Sequence, residues 1–373
     1  MKQSIKLFVV AAFVLLSVES QATSWRVCSK PEARANFTSV REAVTSLDVF
    51  AGDTLYLEPG HVELGNTLTI NKQLTIIGPG YRMNDNNINV MDANEAIFNT
   101  SSIQLTAAGT DIYGCVFLNT LELHSDNHTI EHCYFQKDGY CLYMDGIRND
   151  LLIRGNFFNN TDIHHYGSGS VWSSTFENNI IKGRIYIGGY SSGYHSCIFR
   201  NNTIIWQAND VNTTIQPCTG CEIYNNVLIH YSSGYSTTTN TTTQTVDTTW
   251  YRNYVLSAPA SQGNDVHHNI MSCSPNSEYR NCVFNISNPE MALIWDNATS
   301  LEEKYKHIAN GIAVGAGSNG TTIGAYGAVN GSTPYRPAGI PKYRPYIYDA
   351  NIDQTPSSNN TINASFKIKV QND

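Results

Sequence analysis

The sequence predicts an all-β fold, a solenoid of stacked β-coils, and three observations predict it. A fragment recurs: "FENNIIKGR", "FRNNTIIWQ" and "IYNNVLIHY" each set two asparagines ahead of an apolar run. Aligned on the second asparagine, one column collects Cys115, Cys133, Asn156, Asn179, Asn202, Asn226, Asn253, Asn269 and Cys282, spaced near 23 residues through its middle. Both flanking columns are apolar or aromatic throughout. Three residues earlier stand Ile112, Ile130, Ile153, Phe176, Phe199, Ile223, Trp250, Val266 and Tyr279; two residues later stand Phe117, Phe135, Phe158, Ile181, Ile204, Leu228, Val255, Met271 and Phe284.

One coil cannot bury its apolar face alone, so coils stack at about 4.8 Å and share a core. Asparagine suits the corner because it tolerates left-handed backbone and its amide can bond the same amide one coil away. Asn202 is therefore expected on an internal asparagine ladder, with Cys115, Cys133 and Cys282 as interior substitutes. Adjacent coils bring Cys115 and Cys133 within bridging reach, and unpaired core thiols are the favoured reading. A chain of 373 residues, 41% hydrophobic, supplies ample material for such a core.

In chain order, Lys2 and Lys6, the apolar stretch Leu7 to Leu16 and the small residues around Ala22 predict a cleaved secretion signal over residues 1–22. That stretch is short for a membrane span, and no later one approaches the length of a transmembrane helix. "FTSVREAVTSLDVF" predicts an N-terminal capping helix with Val40, Ala43, Val44 and Leu47 on one face, capped by Thr38 or Ser39. It would plug the open end of the stack, where strand edges are a hazard. "DTLYLEPG", "NTLTI" and "QLTIIGPGY" follow as short alternating strands. The solenoid domain is set at 23–330. Residues 231–249, "YSSGYSTTTNTTTQTVDTT", form a polar insertion that explains the longest coil interval. Residues 331–373 form a Pro-rich tail with a terminal strand, "NASFKIKVQND", lying along the solenoid or over its C-terminal end.

Nine cysteines follow the leader, an odd count for an exported chain. Cys218 and Cys221 in "PCTGC" lack a second CxxC or a His pair, which argues against zinc and leaves a local disulfide open. Net charge is −8, and loss of the leader makes it more negative. An overall basic field is missing, so no nucleic-acid partner is expected.

The order helix, "AGDTLYLEPG", "LTINKQLTIIGPGY" resembles the start of right-handed parallel β-helix proteins of the pectin-lyase-like superfamily. "AVGAGSNGTTIGAYGA", residues 313–328, resembles the closing segment of secreted bacterial members. The resemblance implies a right-handed parallel β-helix and a place outside the cell, at its surface or in the periplasm. It also implies that acids, bases and arginines from neighbouring coils meet on solvent-facing strand positions. "NTD" at Asn160-Thr161-Asp162 matches a polygalacturonase-type tripeptide, but the paired aspartates, Gly-His-Gly and Arg-x-Lys of that pattern do not follow. The calcium motif of pectate lyases and the Gly-x-x-Asp-Phe pattern of pectin esterases are also missing.

Comparing "CYFQKDGYCLYMDG", "NFFNNTDIHHYG" and "NIIKGRIYIGGY", with one residue of slack in the middle coil, puts Asp138, Asp162 and Arg184 in one outward column. Tyr140, His164 and Tyr186 fall in the next. Asp138, Asp162, His164 and Arg184 are the candidate catalytic set, able to polarise a sugar carboxyl, take a proton or protonate a glycosidic oxygen. The alternative is a solvated face with ordinary salt bridges. Tyr140, His165 and Tyr186 are the candidate substrate-binding set, with Asp145 and Arg148 nearby. Tyrosines also crowd the coil loops, Tyr143, Tyr166, Tyr190, Tyr194, Tyr231 and Tyr235 among them; they could stack on sugar or on one another. The expected function is polysaccharide binding, with lyase or hydrolase cleavage as one reading and a non-catalytic adhesion or scaffold role as the alternative. No metal ligand set or cofactor is evident, calcium being the one candidate.

Overall fold

The computed structural model describes residues 22–88, 90–188, 193–207, 214–215, 218–230, 235–240, 245–250, 256, 258, 260–328, 332–341, 345–352 and 364–370. The expected signal falls almost wholly outside these residues. Among them no helix is long and apolar enough to cross a membrane.

The chain is all-β and visits the same sheets in rotation. A ten-stranded, a nine-stranded and a six-stranded sheet are parallel throughout and gain strands in chain order, and a four-stranded sheet joins them in the middle passes. This arrangement is consistent with a parallel β-helix. Strands are only two to seven residues long in these sheets, because each pass must turn between sheets.

Register follows the apolar columns. Ile112, Ile130, Ile153, Phe176, Phe199, Ile223 and Val266 pair in succession across the ten-stranded sheet. Phe98, Phe117, Phe135, Phe158, Ile181, Ile204, Leu228 and Met271 do so across the nine-stranded sheet. All are buried, and the rings stack face to face, with Phe135 and Phe158 4.5 Å apart and 2° from parallel. Burying one such side chain stabilises by roughly 1.5–3 kcal/mol, so these columns form the main core.

The asparagine ladder is present. Asn156 donates through Nδ2 to Asn179 Oδ1 (3.1 Å), Asn179 to Asn202 (3.0 Å), Asn202 to Asn226 (3.0 Å) and Asn226 to Asn269 (3.0 Å). Cys133 extends it, its N–H donating to Asn156 Oδ1 at 2.9 Å. One expectation is corrected here: Asn226 bonds Asn269 directly, so Asn253, itself outside the described residues, is not a rung between them. The 43-residue step holds an excursion, and part of the polar insertion forms an antiparallel hairpin of Tyr235–Asn240 and Thr245–Trp250. Its run of threonines suits a strand as well as a loop.

Helix α1 spans Val40–Thr45, with Ser39 Oγ accepting from Glu42 N at the N-cap (3.0 Å). Glu63, in register with Phe98 at the end of the phenylalanine column, turns its buried carboxylate onto Val40 N (2.6 Å). That satisfies an amide the short helix cannot bond itself. Val40, Ala43 and Val44 are buried as expected, but Leu47 is 91% exposed. The helix ends at Thr45, so the helical spacing that would have turned Leu47 inward no longer applies, and Val49 enters the core instead.

After Val283 the chain stops adding strands and turns back. Side chains between Ile286 and Tyr326, together with Tyr335, pack on the outer face of the nine-stranded sheet, over Val116, Tyr134, Phe157, Ile180, Val227 and Ile270. The direction of return is visible in the contacts: Ser318 and Thr321 meet Asn225, Thr322 and Gly324 meet Asn201, and Ala325 and Gly327 meet Asn178. Ala338 then accepts from Tyr81 N (2.8 Å). Gly339, at φ +51°, lies so close to the Tyr81 ring and His132 O that a Cβ would clash at 2.1 and 2.6 Å. At this latch the Glu302 carboxyl, fully buried, accepts from Tyr335 Oη (2.5 Å), Ala338 N (3.1 Å) and Asn86 Nδ2. The tail ends in strand Ala364–Val370, paired antiparallel with Pro345–Ile352.

Candidate functional site

The candidate residues lie on the six-stranded sheet, whose parallel register aligns one outward side chain per pass. Thr69, Gln104, Glu122, Tyr143, His164 and Tyr186 are consecutive partners across it. Alternation sends every second residue inward. Met144 and His165 therefore share an inward column, and His165 is 0% exposed with Nε2 on Gly146 O at 2.6 Å. That corrects the expectation that His165 meets substrate: it stands next to an outward residue and so points the other way.

Asp138 is also displaced from its expected column. Gly139 pairs with Thr161 and Tyr140 with Asp162, and the irregularity at Cys141 restores register only at Leu142. The slack thus belongs to the earlier pass. Asp138 falls opposite Asn160, which donates to it at 2.9 Å, and it does not join Asp162.

Asp162 and Arg184 do meet, and closely. Asp162 Oδ2 accepts from Arg184 Nη2 (2.8 Å) and Nε (3.1 Å), and Oδ1 from Arg184 N (2.8 Å). The guanidinium is held between the rings of Tyr186 (4.6 Å) and Trp206 (4.3 Å). Tyr186 in turn stacks on His164 (5.1 Å, 9°), and His164 on Tyr140 (3.9 Å, 17°). The result is one continuous stack, Trp206, Arg184, Tyr186, His164, Tyr140. Cation–π and stacking contacts contribute on the order of 0.5–1.5 kcal/mol each, so it is a stabilising device in its own right.

This stack restricts chemistry. His164 is 3% exposed, and neither ring nitrogen has a hydrogen-bond partner among the described residues. Burial, then electrostatic repulsion from His165 and Arg184, push its pKa down to about 4, so the ring is neutral at pH 7. Asp162 is 4% exposed and clamped by the arginine. Neither is poised to exchange a proton with a bound sugar. The faces of His164 and Tyr186 are covered by their neighbours, leaving Tyr140 at the open end of the stack, 44% exposed. Among the other tyrosines, Tyr194 is buried, Tyr166 is 59% exposed, and Tyr190 and Tyr231 lie outside the described residues.

Two passes earlier the same face carries a cluster that the column comparison overlooked. His124 Nε2 lies 3.0 Å from Glu122 Oε2, and its Nδ1 lies 3.0 Å from both oxygens of Asp145. Gln104 Nε2 donates to Glu122 Oε2 (3.0 Å), and Arg148 Nη2 to Asp145 Oδ1 (2.9 Å). Burial would raise the Asp145 pKa, but Arg148 and His124 outweigh it and hold the pKa below the usual range. Glu122, His124 and Asp145 keep 20%, 26% and 39% side-chain exposure, so they can reach a ligand. Their signal in the sequence is "LELHSD": apolar Leu121 and Leu123 alternate with Glu122, His124 and Asp126, the period-2 mark of one polar face.

Among the described residues no group of three or more His, Cys, Asp or Glu is arranged to hold a metal ion. Two clefts, of about 520 and 610 Å³, are lined by Lys30, Arg82 and Glu95 and by Arg41, Leu47 and Lys72 respectively; the second also takes in Thr69, the first residue of the outward column. Comparison with family models, with curated proteins and with solved structures finds no match for this chain. The class that the fold defines is thus the coarse one, an all-β chain of long stacked parallel sheets.

Proposed function

We propose that the chain is an exported right-handed parallel β-helix, of the pectin-lyase-like kind its repeats resemble, with α1 capping one end. It acts outside the cell or at its surface, where the outward face of the six-stranded sheet binds a neutral linear polysaccharide. The observation that carries this reading is the register of that face. Gln104, then Glu122 with His124, then Tyr143 with Asp145, then Tyr166 project from four successive passes about 4.8 Å apart, an array of donors and acceptors suited to a chain of sugar hydroxyls, with Arg148 of the four-stranded sheet bonded to Asp145. Tyr140 and Tyr166 add exposed rings for a sugar face. The net charge of −8 disfavours a polyuronate unless calcium bridges the two.

Binding is favoured over cleavage because two of the four catalytic candidates are sealed, His164 within the ring stack and Asp162 against Arg184. One observation supports a second reading, cleavage from a different centre: His124 lies between two carboxylates, an arrangement able to donate and take protons.

The test is a polysaccharide panel, read for binding, new reducing ends and unsaturated products, with and without calcium. Binding without products, weakened at least tenfold by Glu122→Gln or Tyr166→Ala, supports the proposal. Products that vanish with His124→Ala would support the cleavage reading. Binding to no glycan would overturn both and leave a display rod.

A further inference from the structure

Three cysteines meet inside the sheets, apart from the face just described. Cys197 and Cys221 precede Ile198 and Glu222, which are Cα partners in the ten-stranded sheet, and Glu222 N donates to Cys197 O at 3.0 Å. The two cysteines are therefore equivalent positions one pass apart. Their sulfurs occupy matching places: Cys197 Sγ lies 3.4 Å from Val171 O and Cys221 Sγ 3.3 Å from Tyr194 O, and Val171 and Tyr194 are themselves partners. One strand spacing, about 4.8 Å, lies inside the Cα separation that a disulfide accepts. Cys218, partner of Tyr194 in the four-stranded sheet, brings a third thiol. The neighbouring thiols of Cys197 and Cys218 draw the Cys221 pKa down against the opposing effect of burial.

We propose that Cys197 and Cys221 form a disulfide that links adjacent passes of the ten-stranded sheet, leaving Cys218 as a thiol. The oxidant is an external disulfide. The thiolate of one of the two cysteines attacks one of its sulfurs and displaces a thiolate; the deprotonated partner cysteine then attacks the protein sulfur of the mixed disulfide and displaces the second. Two electrons pass to the external disulfide, which leaves as two thiols carrying the two protons. Pairing across passes is favoured over Cys218 with Cys221 by its effect on the unfolded chain. The first closes a loop of more than twenty residues, whereas the second closes over Thr219 and Gly220 alone, and stabilisation grows with loop length.

The surroundings predict a further property. Cys197, Cys218 and Cys221 are at most 1% exposed, and the Tyr194 ring, 0% exposed, stands against Phe176 and Phe199 beside them. Reagents reach the sulfurs only when the passes open. The bond therefore forms during folding and resists reduction afterwards.

The experiment folds the full chain with oxidised and reduced glutathione, alkylates it in denaturant without reduction, and maps its peptides by mass. The expected result joins the Cys197 and Cys221 peptides, with Cys218 alkylated. Dithiothreitol should leave the link intact in buffer and break it in urea. Cys197→Ser should abolish it and lower Tm by about 5 °C, to the value of the reduced wild type. Three alkylated thiols after folding in oxidised glutathione, or a Cys218 to Cys221 link, would overturn the proposal. The wild-type map decides between these outcomes even if the variant does not fold.

Discussion

Asn201 and Asn202 are neighbours in the chain and face opposite ways. Asn202 points inward, its Oδ1 accepting from Asn179 N (3.1 Å) and Nδ2 (3.0 Å). Asn201, held at φ 53°, points outward and donates through Nδ2 to Thr322 O (3.2 Å) and Gly324 O (3.4 Å) of the returning segment. Asn178 and Asn225 repeat that role with φ of 53° and 57°. The doublet therefore recurs for two reasons: the second asparagine is a rung of the internal ladder, and the first turns the corner in left-handed backbone and fastens the outer layer.

The two positions should respond differently to mutation. Asn202→Ala removes its bonds to Asn179, Phe176 and Asn226 inside the core and should destabilise by about 3 kcal/mol in chemical unfolding. Asn201→Gly keeps the left-handed turn and should cost under about 1 kcal/mol globally, while proteolysis of residues 318–328 accelerates. Equal effects of the two changes would contradict this division of roles.

The pKa of about 4 at His164 makes stability depend on pH. The unfolded chain takes up that proton near pH 6.5 and the folded chain only near 4, so stability is full above pH 6.5 and falls as pH drops between them. The loss approaches about 3 kcal/mol at pH 4. His164→Phe keeps the stack and removes the titration, so its Tm should decline less than that of the wild type between pH 7 and 4.5.

Glu302 predicts the opposite slope. Burial raises its pKa above the carboxylate range, against the bonds from Tyr335, Asn86 and Ala338. The folded chain then holds a proton that the unfolded chain releases near pH 4.5, and stability declines as pH rises above that value. Cleavage of the returning segment by a protease active at both pH values should be faster at pH 8 than at pH 4.5, after correction for protease activity. Glu302→Gln should flatten the difference.

On the outer face of the ten-stranded sheet, Glu177 accepts from Arg200 Nε (2.6 Å) and faces Arg154 at 3.5 Å. Arg154 in turn pairs with Glu131 (2.6 Å). Glu177 is 2% exposed, so removing it strips Arg200 of its carboxylate partner, while Arg154 keeps Glu131. Glu177→Ala should destabilise by about 3 kcal/mol, read from urea midpoints. The double change to Glu177→Leu with Arg200→Met should recover part of that loss.

The sequence by itself determined the repeat. Ile130, Phe135, Asn179 and their equivalents were legible as columns because stacking places identical positions in identical surroundings, and every pass repeats the same inward pattern. It also marked Thr38 or Ser39 as a helix cap, of which the structure uses Ser39, and "NASFKIKVQND" as a strand, since both depend on local chemistry. Only the tertiary structure decided register and partnership. Spacing alone counts Asn253 as a rung, because it cannot distinguish a pass from an excursion, whereas Asn226 bonds Asn269 directly. The irregularity at Cys141 separated Asp138 from Asp162, and the end of α1 at Thr45 left Leu47 in solvent. The ring stack around His164, the cluster at His124 and the latch at Glu302 join residues from different passes or from opposite ends of the chain. A one-residue slip reverses which face a strand residue presents, and the free energy that forbids the slip comes from neighbours distant in sequence.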